Sequence, residues 1–204
     1  MAINSLILAL TEAQSTGIMM GVMAAVILIL LVIKLLGTSY GDQHVSDGYR
    51  FMKEGDYDKA AFHFEKAIKS GKFKKLKIHN AYEGLAETEL YRKNYDRAAE
   101  KANEALLRHT EDSAAYNILG RVYSEQGDSR KAVEMFLKQS QIKEDTDCYV
   151  LLAFEYARLG DEKQANIAVN NAQRLKHPDI KEMRKDIKRI LNESKRKTSA
   201  KQEK

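Results

Sequence analysis

The sequence predicts an all-α protein in which an N-terminal transmembrane helix precedes an α-solenoid of about four helical hairpins and a C-terminal capping helix. Three observations lead to this prediction. Residues 17–36 form a nearly uncharged apolar run, the phrase YDKAAFHFEKAI at 57–68 returns as YDRAAEKANEAL at 95–106, and the chain has only one proline. A proline-poor chain that repeats an alanine-rich phrase is typical of stacked helical hairpins.

The apolar run at 17–36 contains nineteen uncharged residues and one lysine, Lys34. As a helix it is about 30 Å long, which matches the hydrocarbon core of a bilayer. The N-terminal tail 1–16 has none of the basic residues that open a cleaved signal peptide. The polar remainder of the chain is too short to wrap the run in a protein core. We therefore predict a single transmembrane helix over 17–36.

The basic residues that flank this helix predict its orientation. The N-terminal flank has no lysine or arginine, whereas Lys34, Arg50, Lys53 and Lys59 follow on the C-terminal side. Flanking positive charge favours the cytoplasmic side of a membrane. We expect the N-terminus outside and the C-terminal domain in the cytoplasm, with a periplasmic or external domain as the alternative.

Small residues recur every four positions on one face of the predicted transmembrane helix, at Gly17, Gly21 and Ala25. This spacing lets two membrane helices approach each other closely. A homodimer through this face is one interpretation, and the ordinary abundance of Gly and Ala in such helices is the other.

Weaker copies of the repeated phrase follow the first two. In each copy an alanine is preceded, twelve residues earlier, by another small residue. The alanines are spaced by 38, 34 and 33 residues. The pairs are Gly48 and Ala60, Ala86 and Ala98, Gly120 and Ala132, and Ala153 and Ala165. A period near 34 residues indicates an array of helical hairpins.

Each predicted hairpin has a turn signal between its two helices. The tripeptides EGD at 54–56, QGD at 126–128 and LGD at 159–161 place a glycine before an aspartate. Glycine ends a helix in the left-handed conformation, and the aspartate caps the next helix. The second copy has Lys93 and Asn94 instead, so we expect Asn94 to cap while Lys93 takes the less favourable turn conformation.

This spacing of small and large residues resembles that of the tetratricopeptide repeat family. The best copy reads Leu119, Gly120, Tyr123, Ala132 and Phe136. The resemblance covers residues 41–177 as four repeats, at about 41–76, 79–112, 113–145 and 146–178. It departs from the family pattern at Glu89 and Gln139. The resemblance implies a superhelical stack whose first helices line a concave groove.

The residues after the repeats predict a cap and a tail. One helical stripe is formed by Ile180, Met183, Ile187 and Ile190, which favours a capping helix over 178–192. Residues 193–204 lose this periodicity, and we expect a disordered basic tail there. The net charge of +5 resides in residues 178–204, which carry ten basic and five acidic residues. The electrically neutral body argues against a nucleic-acid-binding domain.

No group of residues in the sequence predicts catalysis. The histidines at 44, 63, 79, 109 and 177 are scattered, and the glycines form no phosphate-binding loop. Cys148 has no evident base and is better explained as a small packed residue. We therefore predict no enzyme activity, no cofactor and no metal site.

The resemblance places the partner-binding residues on the first helix of each repeat. Its concave positions correspond here to Tyr49, Met52, Glu83, Glu87, Tyr91, Asn117, Arg121, Glu125, Phe154 and Arg158. This mixture of aromatic and charged side chains suits an extended peptide or a partner helix. Val45 and Tyr49 stand where some members carry a Lys and an Asn that grip a C-terminal carboxylate, so such a clamp is not expected. A merely solvated groove is the alternative.

A lysine-rich segment without any acidic residue lies at the end of the first repeat. Its lysines are Lys66, Lys69, Lys72, Lys74, Lys75 and Lys77. Lysines near an anionic leaflet attract a domain to the membrane, by about 1 kcal/mol each. We interpret this segment as a lipid-facing patch, with a solvated connector as the alternative.

Together these features predict a membrane-anchored scaffold that holds partner proteins in its groove. One alternative is a receptor or co-chaperone for translocating or unfolded chains. The other is a structural subunit that assembles through its own repeats.

Overall fold

The computed structural model describes residues 20–32, 43–70 and 75–202. Within these ranges it contains ten helices and no strand. The helices are α1 (20–32), α2 (43–53), α3 (Tyr57–Ser70), α4 (Lys75–Tyr91), α5 (Tyr95–Leu106), α6 (Ser113–Glu125), α7 (Ser129–Ile142), α8 (Thr146–Arg158), α9 (Glu162–Arg174) and α10 (Ile180–Gln202). The all-α prediction is confirmed.

Helix α1 is the described part of the predicted transmembrane helix. Its large apolar side chains are 46% to 72% exposed, so the other described helices do not cover them. Across the described ranges, none of the helices has the length and apolar character needed to span a membrane. The predicted span 17–36 extends beyond α1 at both ends, and Gly17 of the proposed dimer face lies outside the described residues. Gly21 and Ala25 belong to α1.

Helices α2 to α9 form four consecutive hairpins, and the hairpins stack side by side. From α3 to α8, each helix contacts the one that follows it, and α4 also contacts α6 across the hairpin between them. Helix α10 contacts both α8 and α9. This order of contacts is that of an α-solenoid with a capping helix, as predicted.

The turns within three hairpins follow the predicted Gly–Asp rule. Gly55, Gly127 and Gly160 all have a φ of 78°, in the left-handed region that glycine adopts without strain. The aspartate after each glycine accepts a backbone N–H three residues later, at 3.0 to 3.1 Å. These prearranged turns fix the angle at which each second helix returns.

The turn of the second hairpin differs from the expectation at Asn94. Lys93 adopts the left-handed conformation with a φ of 62°, as predicted. Asn94 makes no side-chain cap, however, and the prediction that it caps α5 is wrong. Its Nδ2 instead donates to Oε2 of the buried Glu89 at 2.7 Å. Leaving the buried carboxylate of Glu89 without this hydrogen bond would cost more free energy than the missing side-chain cap of α5.

The core consists of large rings seated on small residues of the facing helix. Phe136 of α7 is fully buried against Gly120 of α6, and Phe64 of α3 lies against Gly48 and Gly84. A Cβ at Gly120 would lie 2.4 Å from Cε1 of Phe136, closer than two carbon atoms can pack. The hairpin can therefore close to this distance only because position 120 has no side chain.

Helix α10 covers the last hairpin through Met183, Ile187 and Leu191, which are 3% to 5% exposed. Disorder was expected over 193–204, but residues 193–202 are helical because α10 continues to Gln202, and residues 203–204 lie outside the described residues. Lys195 pairs with Glu162 at 2.7 Å, and Oγ of Ser194 donates to the carbonyl of Arg158 at 3.2 Å. These contacts and the good helix-forming residues of this segment extend the helix beyond its last buried side chain.

Replacing Gly120 with alanine is expected to lower the free energy of unfolding by up to about 2 kcal/mol. The cost of overpacking the Phe136 ring, about 1–3 kcal/mol, is offset only in part by a gain in helix propensity of about 1 kcal/mol. Urea unfolding of the full chain measures the change. In a Phe136→Leu background the same substitution should cost less, and an equal cost in both backgrounds would contradict the close contact.

Candidate functional site: an acidic concave surface

The first helices of the hairpins contribute a concave pocket between α4, α6 and the turn that joins α7 to α8. Its volume is about 260 Å³. Among the described residues, the ionisable side chains that line it are four carboxylates and one amine. They are Glu83, Glu87, Asp145, Asp147 and Lys143. The pocket is therefore acidic, a feature that the sequence-based groove assignment did not predict.

Burial and crowding of negative charge raise the pKa of Glu83. Burial is the largest cause, and repulsion from Asp112 and Glu87 adds to it, so that the pKa reaches about 7. The pKa of Tyr49 is raised by burial and by the same three carboxylates. The negative field at this end of the groove is strong enough to disfavour further anions there.

Three predicted groove residues come together next to the pocket. The guanidinium of Arg121 lies 5.3 Å from the ring centroid of Tyr91, and its Nη1 is 3.9 Å from Oε1 of Glu87. Tyr91 also stacks on Tyr57, with ring centroids 5.1 Å apart and planes 10° apart. A flat aromatic ledge with one half-buried cation therefore borders the acidic pocket.

Other predicted groove residues are held by neighbours within the protein. Asn117 donates to Oε1 of Gln139 at 3.0 Å, and Glu125 accepts from the hydroxyl of Tyr95 at 3.4 Å. Phe154 is half-buried against the core. These side chains shape the groove, and only part of their surface is available to a partner.

Arg158 is directed at a buried acid that the sequence analysis missed. Its Nη1 donates to Oε1 of Glu155 and to Oγ of Ser124, and Glu155 is only 1% exposed. In the sequence Glu155 lies between apolar residues, and nothing there indicates that it is buried and paired with Arg158. Arg158 therefore neutralises Glu155, which reduces the charge it offers to the groove.

At the first hairpin, Tyr49 and Met52 pack against the core around Phe64. The Tyr49 hydroxyl donates to the carbonyl of Asn80 at 3.2 Å, and Oγ1 of Thr88 contacts the sulfur of Met52 at 3.6 Å. Both residues thus join the first hairpin to the second.

The lysine-rich segment is described only in part. Lys66 and Lys69 are exposed at the end of α3. The side chains of Lys72, Lys74, Lys75 and Lys77 lie outside the described residues, so the predicted lipid-facing patch stays a prediction.

The two departures from the repeat pattern are both buried polar residues with partners. Glu89 is 0% exposed, and its Oε1 lies 3.0 Å from Arg92 and 3.3 Å from Arg97. Gln139 is 3% exposed and bonds to Asn117. A buried carboxylate is tolerated where two guanidinium groups compensate its charge.

Three of the five histidines, which are scattered in the sequence, lie in two groups with carboxylates in the fold. His44, Asp47 and His63 form one, and His79, Glu83 and Asp112 form the other, with ligand atoms in each group within 4.8 Å of one another. Two helical spacings within these groups were visible in the sequence, that of His44 and Asp47 and that of His79 and Glu83, whereas the third member of each group comes from a distant position. The sequence analysis predicted no metal site, and the proximity of these side chains does not test that prediction.

Cys148 is buried, and its thiol donates to the carbonyl of Phe136 at 3.1 Å. Burial raises the pKa of the thiol to about 12. Since only the thiolate is a good nucleophile, Cys148 acts as a packed residue, as its sequence context indicates.

Comparison with known proteins identifies the repeat type. A profile of the tetratricopeptide repeat matches residues 115–148, which span α6, α7 and the start of α8. No curated protein sequence matches the chain.

Solved structures share the fold, among them two that are described as tetratricopeptide repeat proteins. TTC0263, a thermophilic member from Thermus thermophilus, is 19% identical, with a TM-score of 0.60, 72% of this chain covered and 80% of its own. YrrB, described as having an unusual peptide-binding site, is 17% identical, with a TM-score of 0.57 and coverages of 70% and 71%. The pilF protein of Pseudomonas aeruginosa is 18% identical, with a TM-score of 0.65 and coverages of 81% and 74%. At these identities the likeness shows a tetratricopeptide-like solenoid fold.

The raised pKa of Glu83 predicts how its replacement changes stability with pH. The folded-state pKa of about 7 exceeds the ordinary value of 4.5, so the protonated side chain favours folding. This contribution is complete below about pH 4.5 and is lost as the pH rises toward 7. Glu83→Gln should therefore stabilise the chain more at pH 8 than at pH 5, as measured by urea unfolding. Glu111→Gln, at an exposed position, is the control, and an equal effect of Glu83→Gln at both pH values would contradict the assignment.

Proposed function

We propose that this chain is a membrane-anchored scaffold that binds a basic segment of a partner protein on its concave surface. The tetratricopeptide-like fold is consistent with a protein–protein interaction scaffold. The observation that carries the finer proposal is the concentration of Glu83, Glu87, Asp145 and Asp147 around a single concavity.

The shape and charge of this surface favour an extended cationic segment over a small ligand. Small-molecule sites are mostly apolar and enclosed, whereas this pocket is polar and continues into the groove. Lysine or arginine side chains of a partner would reach the carboxylates, and the ledge formed by Tyr57 and Tyr91 would hold an apolar or arginine side chain. YrrB, which has the same fold, is described as having a peptide-binding site. This precedent supports a peptide as the class of ligand.

The anchoring part of the proposal concerns residues 17–36. In α1 the apolar side chains are exposed, and a helix of this kind is stable when lipid covers it. The basic residues that follow the run favour a cytoplasmic solenoid. A receptor or co-chaperone for translocating chains would use the same groove, since such chains are bound in extended form.

One observation favours self-assembly as a second candidate function. Lys195, Arg196 and Lys197 are exposed on the last turns of α10, while the acidic pocket lies on the concave side of the same chain. The basic end of one copy could occupy the acidic pocket of another. This arrangement would appear as an increase of particle size with protein concentration that high salt reverses.

Peptide binding tests the groove. The full-length chain in lipid nanodiscs is titrated against a labelled peptide in which lysines alternate with apolar residues, and against its glutamate counterpart. Fluorescence anisotropy should show binding of the lysine peptide only, weakened by salt because exposed charges are screened. The double substitution Asp145→Asn/Asp147→Asn should weaken binding about tenfold, or about 1.4 kcal/mol.

The matched control is Asp161→Asn, which alters the N-cap of α9 instead of the N-cap of α8 at Asp145. Asparagine still caps helices, so both variants should remain folded. Equal binding of the two peptides, or unchanged affinity in the double variant, would contradict the proposal.

Topology tests the anchor. Cys148→Ser removes the native thiol, and Ser199→Cys places one on an exposed position of α10. We expect this thiol to be protected from a membrane-impermeant reagent in intact cells and labelled once the membrane is opened. Labelling of intact cells would contradict the cytoplasmic orientation, and release of the chain by alkaline carbonate would contradict anchoring.

A further inference from the structure

We propose that His79, Glu83 and Asp112 form a binding site for a divalent first-row transition-metal ion. His79 and Glu83 are one turn apart on α4, and Asp112 is the N-cap of α6. Their ligand atoms lie within 4.8 Å of one another, and this group is independent of the peptide-binding proposal except for the shared residue Glu83.

The imidazole of His79 is oriented as a metal ligand. Its Nδ1 is 3.3 Å from the carbonyl oxygen of Ala105, and a carbonyl can only accept, so Nδ1 carries the proton. In the neutral ring the lone pair is then on Nε2, which faces Oδ2 of Asp112 at 3.3 Å and Oε2 of Glu83 at 3.9 Å. Metal-binding histidines usually donate their other ring N–H to a carbonyl or carboxylate in this way.

The two oxygens of the Asp112 carboxylate have different surroundings. The residue is 6% exposed, and its Oδ1 caps α6 by accepting from the backbone N–H groups of Ala114 and Ala115 at 2.9 and 3.1 Å. In the described part of the chain, the buried Oδ2 has no hydrogen-bond partner. A buried carboxylate oxygen without a hydrogen bond is costly, and this one lies 3.3 Å from Nε2 of His79.

The spacing and chemistry of the three groups fit a small divalent cation. With metal–ligand bonds of about 2.0–2.1 Å, neighbouring ligands of a tetrahedral site are about 3.3 Å apart. The distance of 3.3 Å between Nε2 of His79 and Oδ2 of Asp112 matches this value. A small rotation of the Glu83 side chain would shorten its distance of 3.9 Å from Nε2. One imidazole and two carboxylates suit Zn²⁺, Co²⁺ or Mn²⁺, whose two positive charges balance the two carboxylates. Three protein ligands leave a coordination position for water or a partner group.

The competing interpretation is an ion pair in which His79 is doubly protonated and no metal binds. Metal titration of the full-length chain in detergent distinguishes the metal site from the ion pair. Before the titration, the purification tag is cleaved off and bound metal is removed with a chelator. Zn²⁺ and Co²⁺ are the probes. Their binding is measured by calorimetry and, for Co²⁺, also by its visible absorption. A His63→Gln background removes the second histidine group, so that one site remains.

In this background we expect one ion to bind per chain. Asp112→Asn should weaken binding by at least about tenfold to a hundredfold, while preserving the helix cap. Asp128→Asn is the matched control, because Asp128 caps α7 in the same way without a neighbouring histidine. Circular dichroism verifies that each variant is folded.

The proposal is overturned if neither ion binds stoichiometrically, or if Asp112→Asn and His79→Gln bind as tightly as the control. His79 does not line the acidic pocket. The metal-free His79→Gln variant keeps every carboxylate of the pocket and should therefore bind the lysine peptide normally, so the failure of one proposal is distinguishable from the failure of the other.

Discussion

The close approach of paired helices at small residues is the constraint on which this structure depends. Alanines and glycines occupy the contact lines, and the rings of Phe64 and Phe136 fill the space that Gly48, Gly84 and Gly120 leave open. A hairpin packed so closely has room for a large ring only opposite a glycine. Its other large apolar residues pack against the next hairpin, and this contact produces the stack and its concave side.

Buried polar groups add a second level of order between the hairpins. Glu89 is shared by Arg92 and Arg97, and Arg92 also pairs with Asp58 of the preceding hairpin at 2.9 Å. Glu155 of α8 accepts from Ser124 of α6 at 2.6 Å. Apolar contacts allow neighbouring hairpins to slide, whereas a buried carboxylate must meet its own partner. The buried carboxylates and their partners thereby fix the relative positions of neighbouring hairpins, and with them the acidic side chains of the groove.

The sequence predicted most of the features that follow from local spacing and missed those that depend on contacts between distant residues. The turn glycines, the aspartate caps and the small contact residues follow from local periodicity. The group of His79 and Asp112 joins residues 33 positions apart, and the acidic pocket gathers side chains from α4 and from the turn before α8. Periodicity within one segment of the sequence does not predict contacts between residues so far apart. The helical segment 193–202 was missed because it lacks an apolar stripe, although its residues favour helix and contact Arg158 and Glu162.

Hydrogen exchange of the full-length chain with and without a saturating lysine-containing peptide tests the central claim most directly. The account predicts added protection in α4, α6 and the turn between α7 and α8, with α5 and α9 unchanged. Protection confined to the second helices of the hairpins, or no change in any of these elements, would contradict a partner site on the concave surface.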